Sequence, residues 1–324
     1  MAATDLPLDE LETYSPRLPE PTDFHGFWDS TLQEARSFDL DVMTEAVDTG
    51  LEVVRTWDVS FAGFAGHPIR AWLHLPTTAA DLDNLPAVVQ YQGYGGGRGL
   101  PHENILWAAA GYAHLVCDTR GQGSGWSTGA TADPVGSDPA QPGFMTRGVM
   151  NPYSYYYRRL FVDALRAVDV IREHPAVDDG RVAIVGASQG GGIALAVAGL
   201  KSEIAAVMVD VPFLCNLPRA LEITDTDPYQ EIVRYLKVHR DHREQVLHTL
   251  SYFDGVNFSR RAHVPALFSV ALMDQTCPPS TVYAAYNAYA GRKDISVYPY
   301  NDHEGGGAFH QAEQLRWLRS QMMP

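Results

Sequence analysis

The stretch VAIVGASQGGGIALAVAGL, Val182 to Leu200, runs from an apolar β-branched segment through a glycine-flanked serine into a small-residue helical segment. A buried strand turning this sharply into a helix belongs to a sheet with helices on its faces. The rest of the chain agrees. Strand-like runs fall at Val53–Ser60, Ile69–Leu75, Ala87–Tyr91, Ala113–Asp118, Val182–Val185, Ala205–Val211, Pro265–Ala271 and Ile295–Tyr298. Several are continuously apolar, as strands covered on both faces of a parallel sheet must be. Helical patterns alternate with them, from Phe24, around RRLFVDALRAVDVIREH, and over Ile193–Leu200, Pro228–Lys237, Ser280–Ala290 and Gln311–Met322. The alternation predicts a doubly wound, mostly parallel sheet flanked by helices.

At 324 residues the chain can bury a sizeable core. The first 25 residues are rich in proline and acid and predict an arm lying on the domain, so 1–50 reads as arm plus first helix. Residues 119–156 break the alternation with Gly, Pro, Ser, Asp and Tyr, and so long an irregular insertion points to function or an interface. A net charge of −15 argues against nucleic acid and against an anionic membrane surface as partners. No apolar run is long enough for a membrane span, and the N-terminus lacks a basic region followed by an apolar one. The three cysteines, Cys117, Cys215 and Cys277, are scattered and odd in number, which favours a reducing, cytoplasmic setting.

GASQG at Gly186–Gly190 fits G-x-S-x-G in the strand–turn–helix context that the motif requires. Such a turn lifts the Ser188 hydroxyl above the sheet, strains its backbone and demands glycine two residues before and two after. The bland alternative is a tight turn with a capping serine. A nucleophilic serine needs a base, which in this chain order lies downstream of the acid. His239, His242 and His248 sit in a polar helical stretch, His263 precedes a strand at the wrong end of the sheet, and His310 opens the last helix as a cap or contact. His303, in NDHEGGG between the last strand and the last helix, stands where the base belongs. Asp274, just past the strand ending at Ala271, is the favoured orienting acid. Asp210, one strand earlier, is its rival and otherwise a pocket or helix-capping residue. The backbone N–H groups of Gln189 and of Tyr94, in YQGYGGGRG after the third apolar run, would form the oxyanion hole. That glycine loop lacks both phosphate-binding patterns, and no Cys, His or H-E-x-x-H spacing offers a metal site. The predicted cofactor requirement is therefore none.

The segments RGQG at Arg120, GASQGG at Gly186, LMDQTCPPST at Leu272, HE at His303, DLPLDELETY and DFHGFW resemble the seventh carbohydrate esterase family. That family comprises acetyl xylan esterases and cephalosporin C deacetylases of α/β-hydrolase fold, and the resemblance covers nearly the whole chain. It implies a single α/β-hydrolase domain over 1–324, with Ser188 as nucleophile, Asp274 as acid and His303 as base. It also implies oxyanion donors at Tyr94 and Gln189, with Tyr94 bordering a small acetylated substrate, and Arg120 and Gln122 bracing the neighbouring loops. Gln92 departs from the family's usual histidine, which alters pocket polarity rather than mechanism. Family members form hexameric rings, for which 119–156 would supply an interface tongue. The expected activity is deacetylation of xylo-oligosaccharides and similar acetyl esters. The alternatives are a carboxylesterase or thioesterase of other acyl preference, or a non-catalytic scaffold.

Overall fold

Nine strands form one sheet in a computed structural model that describes residues 5–77, 84–135 and 143–322. They are β1 Met43–Val47, β2 Val54–Ala62, β3 Pro68–Pro76, β4 Leu85–Tyr91, β5 Ala113–Cys117, β6 Val177–Ala187, β7 Ala206–Asp210, β8 Ala266–Ala271 and β9 Lys293–Tyr298. Their order across the sheet is β1-β2-β3-β5-β4-β6-β7-β8-β9. The β1-β2-β3-β5 pairings are antiparallel, and the five others, β5-β4 through β8-β9, are parallel. The mostly parallel, doubly wound α/β architecture is therefore present.

The longer helices are α1 Phe24–Arg36, α2 Tyr156–Arg172, α3 Gln189–Leu200, α4 Tyr229–Val238, α5 Pro279–Ala288 and α6 Gly307–Met322. One face of the sheet packs into the large cluster built from α1, α2, α3 and α5. On the other face Val88, Ala183, Val185, Met208 and Leu267 meet Trp107, Leu318 and Met322. Helix α3 begins at Gln189, four residues earlier than the sequence pattern suggests. Glycines 190–192 are helical there because the first turn is pressed on the strand ends: a Cβ at Gly190 would lie 2.4 Å from the Tyr91 carbonyl oxygen, and one at Gly192 2.4 Å from that of Phe213.

Strand β1 escaped the sequence reading. It pairs with β2 through its backbone but keeps nearly every side chain exposed, so it carries no apolar pattern. The N-terminal segment makes contacts with later parts of the chain. Asp5 pairs with Arg219 and accepts the Ser280 N–H, Leu11 is buried, and Glu20 pairs with Arg261. Residues 1–4 of that arm and 136–142 of the 119–156 insertion lie outside the described residues. Elsewhere in the insertion, Arg120 is buried against Asp163 and Asp133, and Met145, Val149, Tyr155 and Tyr156 join the core. No helix among the described residues is long and apolar enough to cross a membrane.

Candidate active site

The bend between β6 and α3 forces Ser188 to φ 56°, ψ −120°, a region hostile to side chains. The sharpness explains Gly186, where a Cβ would lie 2.2 Å from the backbone of Gly190. The backbone of Ser188 is pinned on both sides. Its N–H donates to the Asp210 carbonyl at 2.9 Å, and its own carbonyl accepts from Gly192 at 3.0 Å and Phe213 at 2.9 Å.

His303 stands on the turn between β9 and α6, with Nε2 2.9 Å from the Ser188 hydroxyl and Nδ1 2.8 Å from Asp274 Oδ2. Asp274 follows β8 and is fully buried. Its other oxygen accepts the N–H groups of Thr276 at 2.8 Å and Cys277 at 2.9 Å. A buried carboxylate accepts, so His303 Nδ1 carries the proton and Nε2 turns its lone pair to the hydroxyl. Asp302 and Glu304 hold the turn rather than the ring: Asp302 accepts the His303 N–H, and Glu304 accepts the Asp302 N–H.

Asp274, Cys277 and His303 bring three possible metal-binding atoms within 4.8 Å of one another. They make a poor metal centre. The acid and imidazole already hydrogen-bond each other, and burial, then Asp274 and Cys215, raise the Cys277 pKa and keep the thiol protonated.

Gln189 opens α3, so its N–H has no partner within the helix. Its buried side chain accepts from Gln122 at 2.9 Å and Tyr157 at 3.0 Å and donates to the Gln92 carbonyl at 3.2 Å. The facing loop, 92–95, is held from three sides. Gln122 accepts the Gly95 N–H at 2.7 Å, the Trp126 indole donates to the Tyr94 carbonyl at 2.9 Å, and the Tyr94 hydroxyl donates to Glu231 at 2.7 Å. Gln92 is buried, and its side-chain nitrogen has no hydrogen-bond partner among the described residues. Glu231 comes from α4 and also accepts the Met145 N–H at 3.0 Å. Burial raises its pKa, against the hydrogen bonds from Tyr94 and Met145. No local motif marks Glu231, so sequence reasoning missed it.

Ser188, His303 and Tyr94 border a cleft of about 820 Å³ that also reaches Trp126, Asp210 and His310. Asp210, the rival acid, faces a different histidine: its carboxylate accepts from His310 Nε2 at 3.0 Å and from Gln314 at 2.9 and 2.8 Å. His239 and His242 stack on each other, and His263 is exposed before β8. This geometry suits acyl transfer: an activated hydroxyl, an oriented imidazole and a helix N-terminus meet at the mouth of one cleft.

A family model described as acetyl xylan esterase (AXE1) matches residues 1–321. The chain is 25% identical over 313 residues to acetyl esterase Axe7A of Xylanibacter ruminicola, spanning 96% of this chain and 70% of that relative. The structure superposes on an acetyl xylan esterase from Paenibacillus sp. R4 with a TM-score of 0.92 and 38% identity, covering 98% of this chain and 100% of the other. Acetyl xylan esterase 1 from Thermoanaerobacterium sp. JW/SL YS485 gives a TM-score of 0.88 and 33% identity, over 97% of this chain and 99% of that one.

Proposed function

The chain belongs to the acetyl xylan esterase family of α/β hydrolases, and on that premise we propose that Ser188, His303 and Asp274 carry its deacetylation. It is a carboxylic ester hydrolase. In the proposed cycle Ser188 attacks the acetyl carbonyl while His303 Nε2 takes the hydroxyl proton. Asp274 fixes the imidazole tautomer and stabilises the charge that forms. The tetrahedral oxyanion settles against the N–H groups of Gln189 and Tyr94, each such donor contributing about 3 kcal/mol. His303 returns the proton to the departing alcohol. Water, deprotonated by the same imidazole, then releases acetate and regenerates the serine.

The observation that carries this reading is the unbroken relay from Asp274 through His303 to Ser188, at 2.8 and 2.9 Å. Ser188→Ala should fold normally, lose hydrolysis of 4-nitrophenyl acetate and resist labelling by a fluorophosphonate. Full activity in that variant would remove the assignment.

The proposed substrates are acetylated xylo-oligosaccharides and related small acetyl esters such as cephalosporin C. Comparing those two directly, together with a rate series from acetyl to octanoyl esters, tests leaving group and acyl length. We also read 1–324 as one domain that assembles into a homohexamer with 119–156 at an interface, a reading supported by family membership. Sedimentation at several concentrations checks it. A cytoplasmic location fits three free, buried cysteines and is checked by fractionating the source cells.

A further inference from the structure

Trp126 is 65% exposed although it borders the cleft. It is nevertheless fixed. Its indole N–H donates to the Tyr94 carbonyl, and its own segment runs along the glycine loop through Gly125 N–H to Gly95 O at 2.9 Å and Gly97 N–H to Ser127 O at 3.2 Å. One face of the ring is covered by Gly96. A Cβ there would lie 2.2 Å from Cζ2 and only 2.6 and 2.8 Å from Cε2 and Cη2, the two ring neighbours of Cζ2. Nearly equal distances to all three atoms put that Cβ over the ring face, not off its edge. Glycine at 96 therefore lets the indole lie flat on the backbone while 65% of the residue stays exposed.

A flat, preordered, solvent-facing ring beside a nucleophile is unlike an ordinary exposed apolar residue, which has no reason to be held so firmly. It suits a ligand with one apolar face and a polar rim. A pyranose has that form, with ring C–H bonds on one face and hydroxyls around the edge. Asn104 and the exposed Gln311 line the same cleft, and their amide side chains offer hydrogen bonds to such hydroxyls. Among the described residues lining it are Asp210, Asp227 and Glu304 but no lysine or arginine, which disfavours an anionic leaving group.

We propose that Trp126 is the stacking platform of a leaving-group subsite for a neutral pyranose. The proposal rests on the acetyl esterase reading of the site and narrows it from acetyl esters in general to acetylated sugars.

The test compares kcat/KM for O-acetyl xylobiose with kcat/KM for ethyl acetate, which has nothing to stack. The comparison is made in the wild type, Trp126→Leu and Trp126→Phe. Leucine keeps apolar cover without a flat ring, whereas phenylalanine keeps the ring but loses the N–H that anchors Tyr94. The sugar-to-ethyl ratio should fall about tenfold in Trp126→Leu and stay within about twofold of wild type in Trp126→Phe, even if both absolute rates drop through the loosened Tyr94 loop. An unchanged ratio in Trp126→Leu overturns the platform, as does a wild type that hydrolyses ethyl acetate but not the sugar ester. Failure of the catalytic reading looks different: Ser188→Ala would then retain hydrolysis of ethyl acetate.

Discussion

The carboxylate of Asp210 accepts a hydrogen bond from His310 Nε2 at 3.0 Å, beside the cleft that holds Ser188. The same residue's carbonyl holds the Ser188 N–H at 2.9 Å. Asp210 thus joins the strained turn at Ser188 to α6, the helix that follows the His303 loop. That loop needs an anchor, because Gly305 and Gly306, and Gly307 at the first position of α6, all take positive φ.

Removing the anchor should misplace His303, the proposed base. Asp210→Ala is expected to lower kcat by about 10- to 100-fold with a smaller change in KM, since ångström-scale misalignment costs about that much. Asp210→Asn keeps an acceptor and should lose less. Steady-state kinetics on 4-nitrophenyl acetate check both, and an unaltered kcat in Asp210→Ala would show that the loop holds itself.

The same pair has a pH signature. Burial pushes the His310 pKa down, but the hydrogen bond and charge of Asp210, followed by Glu313, outweigh it and leave a net rise. A histidine with a raised folded pKa binds its proton more tightly in the native state. Its contribution to stability is full below the unfolded value of about 6.5 and fades as pH climbs through the folded one. The melting-temperature gap between wild type and His310→Gln should therefore be widest near pH 5.5 and shrink toward pH 8.5.

His74 and His114 carry the opposite sign. They face each other on β3 and β5, fully buried, and desolvation lowers His74 to about 4 and His114 well below its ordinary value. The unfolded chain takes up these protons first, so stability drains away as pH falls from about 6.5 toward 4. For His74 the loss is on the order of 3 kcal/mol. Urea unfolding across that range should show a shallower pH dependence in His74→Gln than in wild type.

Legibility in the sequence followed physical locality. The bend at Ser188 was readable because its steric demands are met by neighbours within two residues, Gly186 and Gly190. His303 and Asp274 could be singled out because strand ends and chain order leave few positions for a proposed base and acid, and the structure brings His303 to Ser188 and Asp274 to His303. Glu231 was not, because its partner Tyr94 lies 137 residues away and nothing near either residue announces the pair. Trp126 sits in an irregular segment with no periodicity to read. Strand β1 buries too little to leave a pattern.

The strain at Ser188 has a measurable consequence. Glycine tolerates φ 56°, ψ −120° without a clashing Cβ, and relief of such strain is worth about 1–3 kcal/mol against about 0.5–1 kcal/mol of added chain entropy. Ser188→Gly should be inactive yet more stable than Ser188→Ala by about 1 kcal/mol in denaturant unfolding. Equal stability would mean that the bend costs the fold nothing.

Asp274→Asn offers the sharpest test of the relay, because the surroundings dictate how the amide must turn. Oδ1 accepts two backbone N–H groups, from Thr276 and Cys277, at 2.8 and 2.9 Å. An asparagine keeps both bonds only by placing its carbonyl there, which aims its NH2 group at His303 Nδ1. The imidazole must then accept at Nδ1 and carry its proton on Nε2, facing Ser188 with a donor where a base is required. The variant should fold with nearly native stability, since every buried polar atom keeps a partner. Its kcat should nonetheless fall by about 10⁴ at neutral pH, and partial recovery is expected at alkaline pH, where hydroxide can replace the lost base. A loss of less than about tenfold would mean that Asp274 does not set the tautomer of His303.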